Sequence, residues 1–583
     1  MRRTSPGLWS KDVLAARMQD DLHFQKFHAG VESDNGVVGC SAYGIGAEVG
    51  AEVLRMGGNA MDAGLATALT QIVFGCGDYV SYAGVMGMLY YDAKENKVYS
   101  IDATWNIPKN ETDPMSIPTL NVVGNGRTAL VPGFMAGVDA CIKRFGTMPL
   151  ADLLEPSIFF AEEGFQLEKM GKHIQEKKEL LSRYPETRAL FFKEDGEAYK
   201  PGDWFRQPKL AETLKKLAAQ GADYMYRGEW AHHFVETVQA AGGKITLEDM
   251  ANYRAEITEP RRRKVFGVEA CMNAGRNFGS EAILAGLKAL ELDDTARLGH
   301  LSSNGRALAR FCHALHYANE AVSLAYFGGS GAAAASDLER RWKTTFGDGF
   351  DARDMLSEKN VDLYWKAINE GRFTPDCMSS PAKTSAHSDC IAVIDRQGNM
   401  LCMTHTANQV AFGNTGLSVD GIMITDSAAH QQGSMAAVEP GTRLPAPLPP
   451  LMFVRDGKPF FAISAIGMGL VNKSICHIHN VLAFDMDVVQ GQHASSVMGA
   501  DFFAALSGSP DPSVLVDETQ FKPEVLQEAR ALGLRVKDCT QCSLLYDVNG
   551  GPTTEGFTAA VQRKNGKNLA VGVNWMNSKA VAE

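Results

Sequence analysis

The chain has 583 residues, of which 45% are hydrophobic and 21% charged, and its formal net charge is -11 at pH 7. These values are ordinary for a globular protein with a large buried core and argue against an extensively disordered chain. The negative balance and the shortness of basic runs such as residues 261–264 argue against a nucleic-acid partner.

Two further features concern location. No stretch reaches the roughly 18 uninterrupted apolar residues of a membrane-spanning helix, and the amino terminus lacks the apolar region of a signal peptide. The eleven cysteines are an odd number and lie in apolar contexts, as at Cys76, Cys312 and Cys402. Reduced, buried thiols fit this pattern better than a disulfide framework. We therefore expect a cytoplasmic protein with no membrane partner.

The N-terminal part of the chain predicts a strand, two helices and a hairpin. Residues 36–44 have the apolar character of a strand. Residues 47–75 indicate two helices that are separated at Gly57-Gly58, with Asn59 as the N-cap of the second. Residues 86–105 alternate as a β-hairpin does, with a polar turn between the two strands.

The middle of the chain, from about residue 152 to about residue 335, is mostly helical by periodicity. The small-residue segment 328–337 indicates either a mobile connection or the start of a helix. Residues 389–407 then predict strand, turn and strand, and the near-continuous apolar run at 390–394 is typical of a strand covered on both faces. Residues 450–467 predict another hairpin.

Three short motifs carry weak signals. The glycines of residues 44–50 follow a strand and open a helix, but their spacing does not match a dinucleotide-binding fingerprint. The CxxC pair at 539–542 has no second pair to complete a zinc ribbon. The histidine pairs at 313/316 and 477/479 have no third ligand at a suitable spacing. We therefore expect no cofactor and no metal.

Several hydroxyl residues precede the long apolar strand in residues 381–413, PAKTSAHSDCIAVIDRQGNMLCMTHTANQVAFG. A hydroxyl is a weak nucleophile that needs a base. If the chain is cut just before such a residue, its own α-amine, with a reference pKa of about 7.7–8.0, supplies that base. By residue chemistry alone Thr384, Ser385 and Ser388 all qualify. An ordinary polar residue at a strand start is the simpler interpretation of each.

The chain nevertheless resembles the gamma-glutamyltranspeptidase family of N-terminal nucleophile hydrolases nearly from end to end. Residues 55–70, RMGGNAMDAGLATALT, are similar to the family's GGNA-D-A helix motif. Residues 82–103 resemble its glycine-rich hairpin, and residues 129–165 resemble its VPG, YGTMPL and GF segment. Several matches in the same order are more specific than any one of them.

The same resemblance assigns catalytic roles. The family's nucleophile pattern, T-T-H-x-S-V-V-D-x-x-G-N, is similar to SDCIAVIDRQGN and places Ser388 on the nucleophile and Asp389 on the second threonine. THTAN is similar to the family's T-Y-T-L-N, which makes Thr406 the hydrogen-bond partner of the nucleophile and Asn408 a substrate-contacting amide. In SAIGMG the family's oxyanion-hole positions fall on Gly467 and Met468. At such positions the backbone N–H groups, and not the side chains, donate hydrogen bonds to the developing negative charge.

The substrate-binding positions depart from the family pattern. The arginine that holds the glutamyl α-carboxylate falls on Thr104, and the acidic residue that holds the α-amine falls near His430. The paired serines fall on Ala446 and Pro447. Each hydrogen bond to a charged group contributes about 1.5–3 kcal/mol, so the loss of most of them argues against a gamma-glutamyl substrate.

The resemblance implies an α+β fold, a four-layer αββα sandwich. It also implies self-cleavage between His387 and Ser388, which would yield a large chain, 1–387, and a small chain, 388–583, associated as one globular unit. We expect a hydrolase of an amide or related acyl bond in a small molecule. The alternatives are a gamma-glutamyl hydrolase or transpeptidase acting on glutathione-like substrates, and an unprocessed, non-catalytic binding protein. The sequence leaves open whether the protein forms a homo-oligomer.

Overall fold

A computed structural model describes residues 30–119, 122–167, 169–275, 277–327, 332–351, 353–375, 387–467, 470–498, 513–539, 557–573 and 578–583. Among these residues no helix combines the length and the hydrophobicity needed to cross a membrane. Nine cysteines lie in the described residues, and all nine are buried free thiols, as the sequence predicts.

The described strands, in chain order, are β1 (Val31–Ser33), β2 (Val37–Cys40), β3 (Val85–Asp92), β4 (Lys97–Ala103), β5 (Phe165–Gln166), β6 (Trp204–Phe205), β7 (Glu256–Thr258), β8 (Arg261–Val265), β9 (Val268–Met272), β10 (His387–Ile394), β11 (Met400–Gln409), β12 (Ser418–Val419), β13 (Ile422–Met423), β14 (Leu451–Arg455), β15 (Lys458–Ile466), β16 (Val497–Met498), β17 (Val514–Val516), β18 (Val536–Asp538), β19 (Phe557–Lys564), β20 (Lys567–Val571) and β21 (Lys579–Ala582).

The described α-helices are α1 (Ile45–Arg55), α2 (Ala60–Gly75), α3 (Phe134–Phe145), α4 (Leu150–Glu163), α5 (Lys169–Glu176), α6 (Lys178–Leu181), α7 (Pro185–Phe191), α8 (Pro208–Gln220), α9 (Asp223–Tyr226), α10 (Glu229–Ala240), α11 (Leu247–Asn252), α12 (Gly279–Leu292), α13 (Gly305–Phe327), α14 (Ala332–Phe346), α15 (Glu358–Asn369), α16 (Gln432–Ala436), α17 (Asn472–Ala483), α18 (Val488–His493) and α19 (Pro523–Ala531). Short 3-10 helices lie at Pro114–Ser116, Gly126–Thr128, Thr295–Leu298, Ser427–His430 and Glu518–Gln520.

Two seven-stranded antiparallel sheets of the described residues form the centre of the molecule. The first sheet has the order β21-β2-β10-β11-β3-β4-β7 and the second has the order β1-β20-β19-β15-β14-β9-β8. The strands β10 and β11 of the first sheet lie against β15 and β19 of the second. The apolar side chains between the sheets include those of Cys390, Cys402 and Ala462.

Helices cover the outer face of each sheet. The helices α1, α2 and α3 contact the first sheet, where Ile391 and Val393 of β10 belong to the same apolar core, and α4 packs on α2. The helices α12, α17 and α18 contact the second sheet, and α13 and α15 pack on α12. The order helix, sheet, sheet, helix is the expected αββα sandwich, so the fold prediction is confirmed.

The predicted helix break near the N-terminus holds in detail. The helix α2 begins after Asn59, whose side chain accepts a hydrogen bond from Asp62 N, while the Asp62 carboxylate accepts one from Asn59 N, both at 3.0 Å. The first turn of α2 also contacts the hairpin formed by β10 and β11, because Ala60 N donates to Asp395 Oδ2 at 2.8 Å. This capping arrangement therefore fixes α2 against the turn between β10 and β11.

One part of the secondary-structure prediction was incomplete. The segment from about 152 to about 335 is mostly helical, but it also contains the short strands β5 and β6 and the strands β7, β8 and β9. The strands β7 and β8 are edges of the two large sheets, and β9 lies next to β8. The basic run at 261–264 lies on β8, an edge strand with three exposed residues. Of the two interpretations of residues 328–337, a helix start is confirmed from residue 332 onwards.

Candidate functional site

Ser388 lies at the start of β10, where the pairing with β11 is irregular. His387 pairs with Gln409 and Asp389 pairs with His405, so the register shifts across Ser388. Such an irregularity re-aims a side chain relative to a regular strand. The other two hydroxyl candidates, Thr384 and Ser385, lie outside the described residues.

The Ser388 hydroxyl donates a hydrogen bond to the Thr406 hydroxyl, with 2.6 Å between Oγ and Oγ1. Thr406 lies on β11 and is 2% exposed, whereas Ser388 is only partly buried. The backbone N–H of Asn408 donates to the same Thr406 oxygen at 2.7 Å. The structure therefore brings together three residues that the sequence assigned to the site.

Ser388 and Asp389 point to opposite faces of the first sheet. Cys390 and Ala392 lie between the two sheets, whereas Ile391 and Val393 pack against the outer helices. The alternation of a strand places Ser388 with the first pair and Asp389 with the second. The Asp389 side chain, although adjacent to Ser388 in sequence, therefore points away from the Ser388 hydroxyl.

Asp389 belongs to a buried polar cluster on the helix side of β10. Burial, with the nearby Asp78 carboxyl, raises the pKa of Asp389 well above its usual value. Asp78 is itself buried and contacts His173 Nδ1 at 2.5 Å. Neither Asp389 Oδ2 nor Tyr43 Oη has a hydrogen-bond partner among the residues that the structure describes. Burial thus favours the protonated form of Asp389.

Gly467 lies at the same end of the sandwich as Thr406. Cys402 Sγ on β11 lies 3.4 Å from the carbonyl oxygen of Leu451. Leu451 pairs with Ile463 of β15. Two residues further along β11, Thr404 Oγ1 lies 2.6 Å from Ser464 Oγ. Residues further along β11 therefore lie next to residues further along β15, so the two strands end on the same side of the sandwich. Gly467 follows the end of β15, and its φ is 63°. Met468 lies outside the described residues.

Thr104 follows β4 and is 1% exposed. Its hydroxyl donates to Asp102 Oδ1 at 2.7 Å, and its carbonyl accepts a hydrogen bond from Arg443 Nη1 at 2.9 Å. The Arg443 guanidinium also lies 3.6 Å from Asp102. A positive charge is therefore present near this position, but it is engaged by backbone and carboxylate oxygens.

The remaining predicted substrate-binding residues surround the same end of the sheets. Ala446 is buried, and its carbonyl accepts a hydrogen bond from Phe278 N at 3.1 Å, while Pro447 is partly buried. His430 ends a 3-10 helix, and burial lowers its pKa to about 4. The imidazole is therefore neutral at pH 7, as are the side chains of Ala446 and Pro447.

Sequence reasoning missed two features near the site. One is the polar cluster of Asp78, His173 and Asp389, since His173 is far from the others in sequence. The other is Asn277, which forms a β-bridge with Ala446 and is 2% exposed. Neither carries a motif that spacing could reveal. Among the described residues, no group of three or more His, Cys, Asp or Glu side chains could hold a metal ion.

The model of the family described as gamma-glutamyltranspeptidase matches residues 46–571, which is most of the chain. The chain belongs to the gamma-glutamyltranspeptidase family. It is thus an enzyme of an N-terminal nucleophile hydrolase family of amide-bond hydrolases and acyltransferases, and the predicted family and enzyme class are confirmed.

Two relatives of this chain are named for different activities. The chain is 28% identical over 462 residues to the glutathione hydrolase proenzyme of Bacillus subtilis (strain 168), covering 75% of this chain and 76% of that protein. It is 27% identical over 439 residues to the acylase ACY 1 proenzyme of Pseudomonas sp. (strain SE83), covering 72% of this chain and 74% of that protein.

The fold is shared with a solved structure over nearly the whole chain. The crystal structure of cephalosporin acylase from Bacillus halodurans matches with a TM-score of 0.74 at 19% identity. The match covers 96% of this chain and 98% of that chain. This likeness establishes the fold of the gamma-glutamyltranspeptidase family for this chain and, at that identity, nothing about its substrate.

Proposed function

We propose that the protein is a self-processing acyl hydrolase whose nucleophile is Ser388 and whose substrate is a small amide that lacks a free α-amino acid head group. The hydrogen bond between Ser388 Oγ and Thr406 Oγ1, at 2.6 Å and at the register break of β10, is the observation that carries this proposal. This contact of a partly exposed hydroxyl supports the assignment of Ser388 to the family's nucleophile position.

Self-processing begins with attack of Ser388 Oγ on the carbonyl carbon of His387. The peptide C–N bond breaks, a C–O ester bond forms, and the Ser388 nitrogen leaves as a free amine. Water then hydrolyses the ester, so that His387 becomes a carboxylate and Ser388 becomes the first residue of chain 388–583. Chain 1–387 would remain associated with it, because β2 and β3 of the large chain pair with β10 and β11 of the small chain.

In turnover, Ser388 Oγ attacks the substrate carbonyl while the new α-amine takes the hydroxyl proton. The backbone N–H groups of Gly467 and Met468 would hold the developing oxyanion. The amine then gives its proton to the leaving nitrogen, the C–N bond breaks, and an acyl ester remains on Ser388. Water, deprotonated by the same amine, releases the carboxylic acid.

The substrate class follows from the charges near the site. By the sequence resemblance, the positions at which the family binds the carboxylate and amine of a glutamyl group correspond to Thr104, Ala446, Pro447 and His430. None of their side chains is charged at neutral pH, since burial lowers the pKa of His430 to about 4. We therefore favour a neutral acyl group. A relative named acylase supports this reading, and a relative named glutathione hydrolase supports the gamma-glutamyl alternative.

Processing is tested by expressing the full chain and resolving it by denaturing electrophoresis. Two fragments are expected from the wild type, and terminal sequencing of the smaller should begin Ser-Asp-Cys. A start at Thr384 or Ser385 would contradict the register. Ser388→Ala should stay whole, and Ser388→Thr, which keeps a hydroxyl, should still be cut. A wild-type chain that is never cut would favour the non-catalytic binding protein.

Activity is tested separately with the processed protein. Hydrolysis of neutral acyl p-nitroanilides should exceed hydrolysis of gamma-glutamyl p-nitroanilide, and the acyl group should appear by mass spectrometry on the peptide that begins with Ser388. Faster turnover of the gamma-glutamyl compound would establish the alternative substrate class. The cytoplasmic location and the oligomeric state stay predictions, testable by fractionation and by light scattering.

A further inference from the structure

Asn277 is a buried polar side chain next to a predicted substrate-binding residue. It is 2% exposed, yet within the described part of the chain neither its Nδ2 nor its Oδ1 forms a hydrogen bond. A buried polar group without a partner is destabilising, so native proteins pair almost all such groups. An amide with both ends unpaired next to a binding region is therefore a candidate for a ligand contact.

The backbone places Asn277 at the Ser388 end of the sandwich. Asn277 forms a β-bridge with Ala446, and Phe278 N donates to the Ala446 carbonyl at 3.1 Å. The segment from Leu451 back to Ala446 runs in the same direction as β11 from Cys402 to Thr406. Cys402 contacts the Leu451 carbonyl, and a methyl group on Gly87, which pairs with Thr404, would lie 2.9 Å from Leu448 Cδ1.

Arg261 holds the segment that carries Asn277. Its guanidinium donates to the carbonyl of Asn273 at 3.2 Å and to the carbonyl of Asn277 at 3.1 Å, and it forms an ion pair with Glu281 at 3.0 Å. Asn273 Nδ2 in turn donates to the Ile101 carbonyl at 3.0 Å. The backbone at Asn277 is therefore fixed, and a ligand would not have to order it.

We propose that Asn277 is a specificity-determining residue that binds a neutral carboxamide on the acyl group of the substrate. This inference rests on the proposed function. The Asn277 side chain offers an acceptor and two donors, and only a group with both functions satisfies both ends. A carboxylate would accept from Nδ2 but would leave Oδ1 unpaired and repelled, and an apolar group would leave both ends unpaired.

The test uses three p-nitroanilides with acyl groups of similar shape: glutaramoyl, which ends in a carboxamide, glutaryl, which ends in a carboxylate, and 5-methylhexanoyl, which is apolar. The wild type should prefer glutaramoyl in kcat/KM by about tenfold or more, the effect of roughly one well-formed hydrogen bond. In Asn277→Leu the preference should vanish. Asn277→Ala, which removes both the donors and the acceptor, should lose it as well.

Asn360 provides a matched control. It is also a buried asparagine, but its Nδ2 donates to the carbonyls of Asp351 at 2.6 Å and Asp354 at 2.9 Å in the outer helical layer. Asn360→Ala should lower thermal stability and leave the acyl preference unchanged. Self-cleavage and melting temperature show whether each Asn277 variant folds, and Asn277→Ala tests the inference if Asn277→Leu does not fold.

Binding separates this inference from the proposed function. The corresponding N-methyl amides are titrated calorimetrically into the wild type and both Asn277 variants. If the wild type binds the glutaramoyl compound selectively through Asn277 but turns over no anilide, the hydrolase proposal fails and this inference stands. The inference is overturned if the wild type shows no selectivity in binding, or if a folded Asn277 variant keeps it.

Discussion

The oxygen atom of Thr406 accepts two hydrogen bonds, one from the Ser388 hydroxyl at 2.6 Å and one from the backbone N–H of Asn408 at 2.7 Å. A hydroxyl oxygen has two acceptor positions, so both are occupied. The Ser388 proton therefore points at Thr406, and the lone pairs of Ser388 Oγ are directed elsewhere. The arrangement orients the predicted nucleophile before any substrate binds.

Replacement of Thr406 by Val should slow both self-cleavage and turnover by about ten- to hundredfold, since a hydrogen bond to a group that develops charge contributes about 1.5–3 kcal/mol. The Asn408 N–H would also lose its acceptor. Thr406→Ser should restore most of the rate. Fragment formation over time and kcat on an acyl anilide measure the two effects.

Thr404 is the matched control for Thr406. It lies two residues earlier on β11, and its hydroxyl bonds to Ser464 at 2.6 Å rather than to Ser388. Thr404→Val should reduce stability while leaving the rate of self-cleavage within about threefold of the wild type, the scale of a small perturbation in barrier height. Equal rates for the two Val variants would contradict the role assigned to Thr406.

Replacement of Asp389 by Asn should stabilise the protein at pH 8 and have little effect at pH 4. Burial raises the pKa of Asp389 in the folded state, so the folded protein binds this proton more tightly than the unfolded chain. The favourable contribution of Asp389 to the free energy of unfolding is therefore fully present below its pKa in the unfolded chain, about 3.9. That contribution is lost as the pH rises through its pKa in the folded protein. Thermal melts of both proteins between pH 4 and pH 8 measure the difference.

Asp456, an exposed residue in the turn between β14 and β15, is the control for Asp389. Asp456→Asn should shift the melting temperature equally little at all pH values. Asp389→Asn should also still be cut, because Asp389 faces away from Ser388. Loss of cleavage in Asp389→Asn would show that this carboxyl takes part in processing after all.

Much of the fold could be predicted because its signals are local. The turn between β14 and β15 carries Asp456-Gly457, both with positive φ, as a tight hairpin requires. Asn59 caps α2 through contacts three residues away. Strand β8 was missed because it is a polar edge strand, whose exposed Arg262, Arg263 and Lys264 hide the apolar pattern of a buried strand.

The site was predicted less completely, because its contacts join distant parts of the chain. The pairing of Ser388 with Thr406 follows from a family motif, and the structure places them together. Asp78 and His173 are 95 residues apart, and Asn277 and Ala446 are linked only by the bridge between a loop and the segment before β14. Spacing in a sequence cannot reveal such pairs, since they depend on the packing of two sheets.

Replacement of His479 by Phe should stabilise the protein, most strongly at acidic pH. His479 lies on α17, and in the described parts of the structure neither ring nitrogen has a hydrogen-bond partner. Phe266, Phe311 and Phe484 surround it at centroid distances of 5.2–5.6 Å. Burial lowers the pKa of His479 to about 3 in the folded protein. The contribution of His479 to the free energy of unfolding is therefore fully present above its pKa in the unfolded chain, about 6.5, and is lost as the pH falls toward 3.

Acid-induced unfolding followed by circular dichroism tests the His479 prediction. The midpoint of His479→Phe should lie at a lower pH than that of the wild type, because a phenyl ring binds no proton in the unfolded chain. His232, which is exposed on α10, is the control, and His232→Gln should leave the midpoint unchanged. An unchanged midpoint for His479→Phe would mean that this histidine does not contribute to acid sensitivity.

Asn408 separates a backbone role from a side-chain role at the site. Its φ is 49°, in the left-handed region that costs other L-residues about 1 kcal/mol or more. Asn408→Gly keeps this conformation and the N–H that binds Thr406, so self-cleavage should proceed at nearly the wild-type rate, whereas Asn408→Ala should be less stable and cut more slowly. If the side chain contacts substrate, both variants should raise KM for an acyl anilide by a similar factor. Steady-state kinetics and melting curves of the two variants measure these effects, and an unchanged KM in Asn408→Gly would remove Asn408 from the substrate-binding residues.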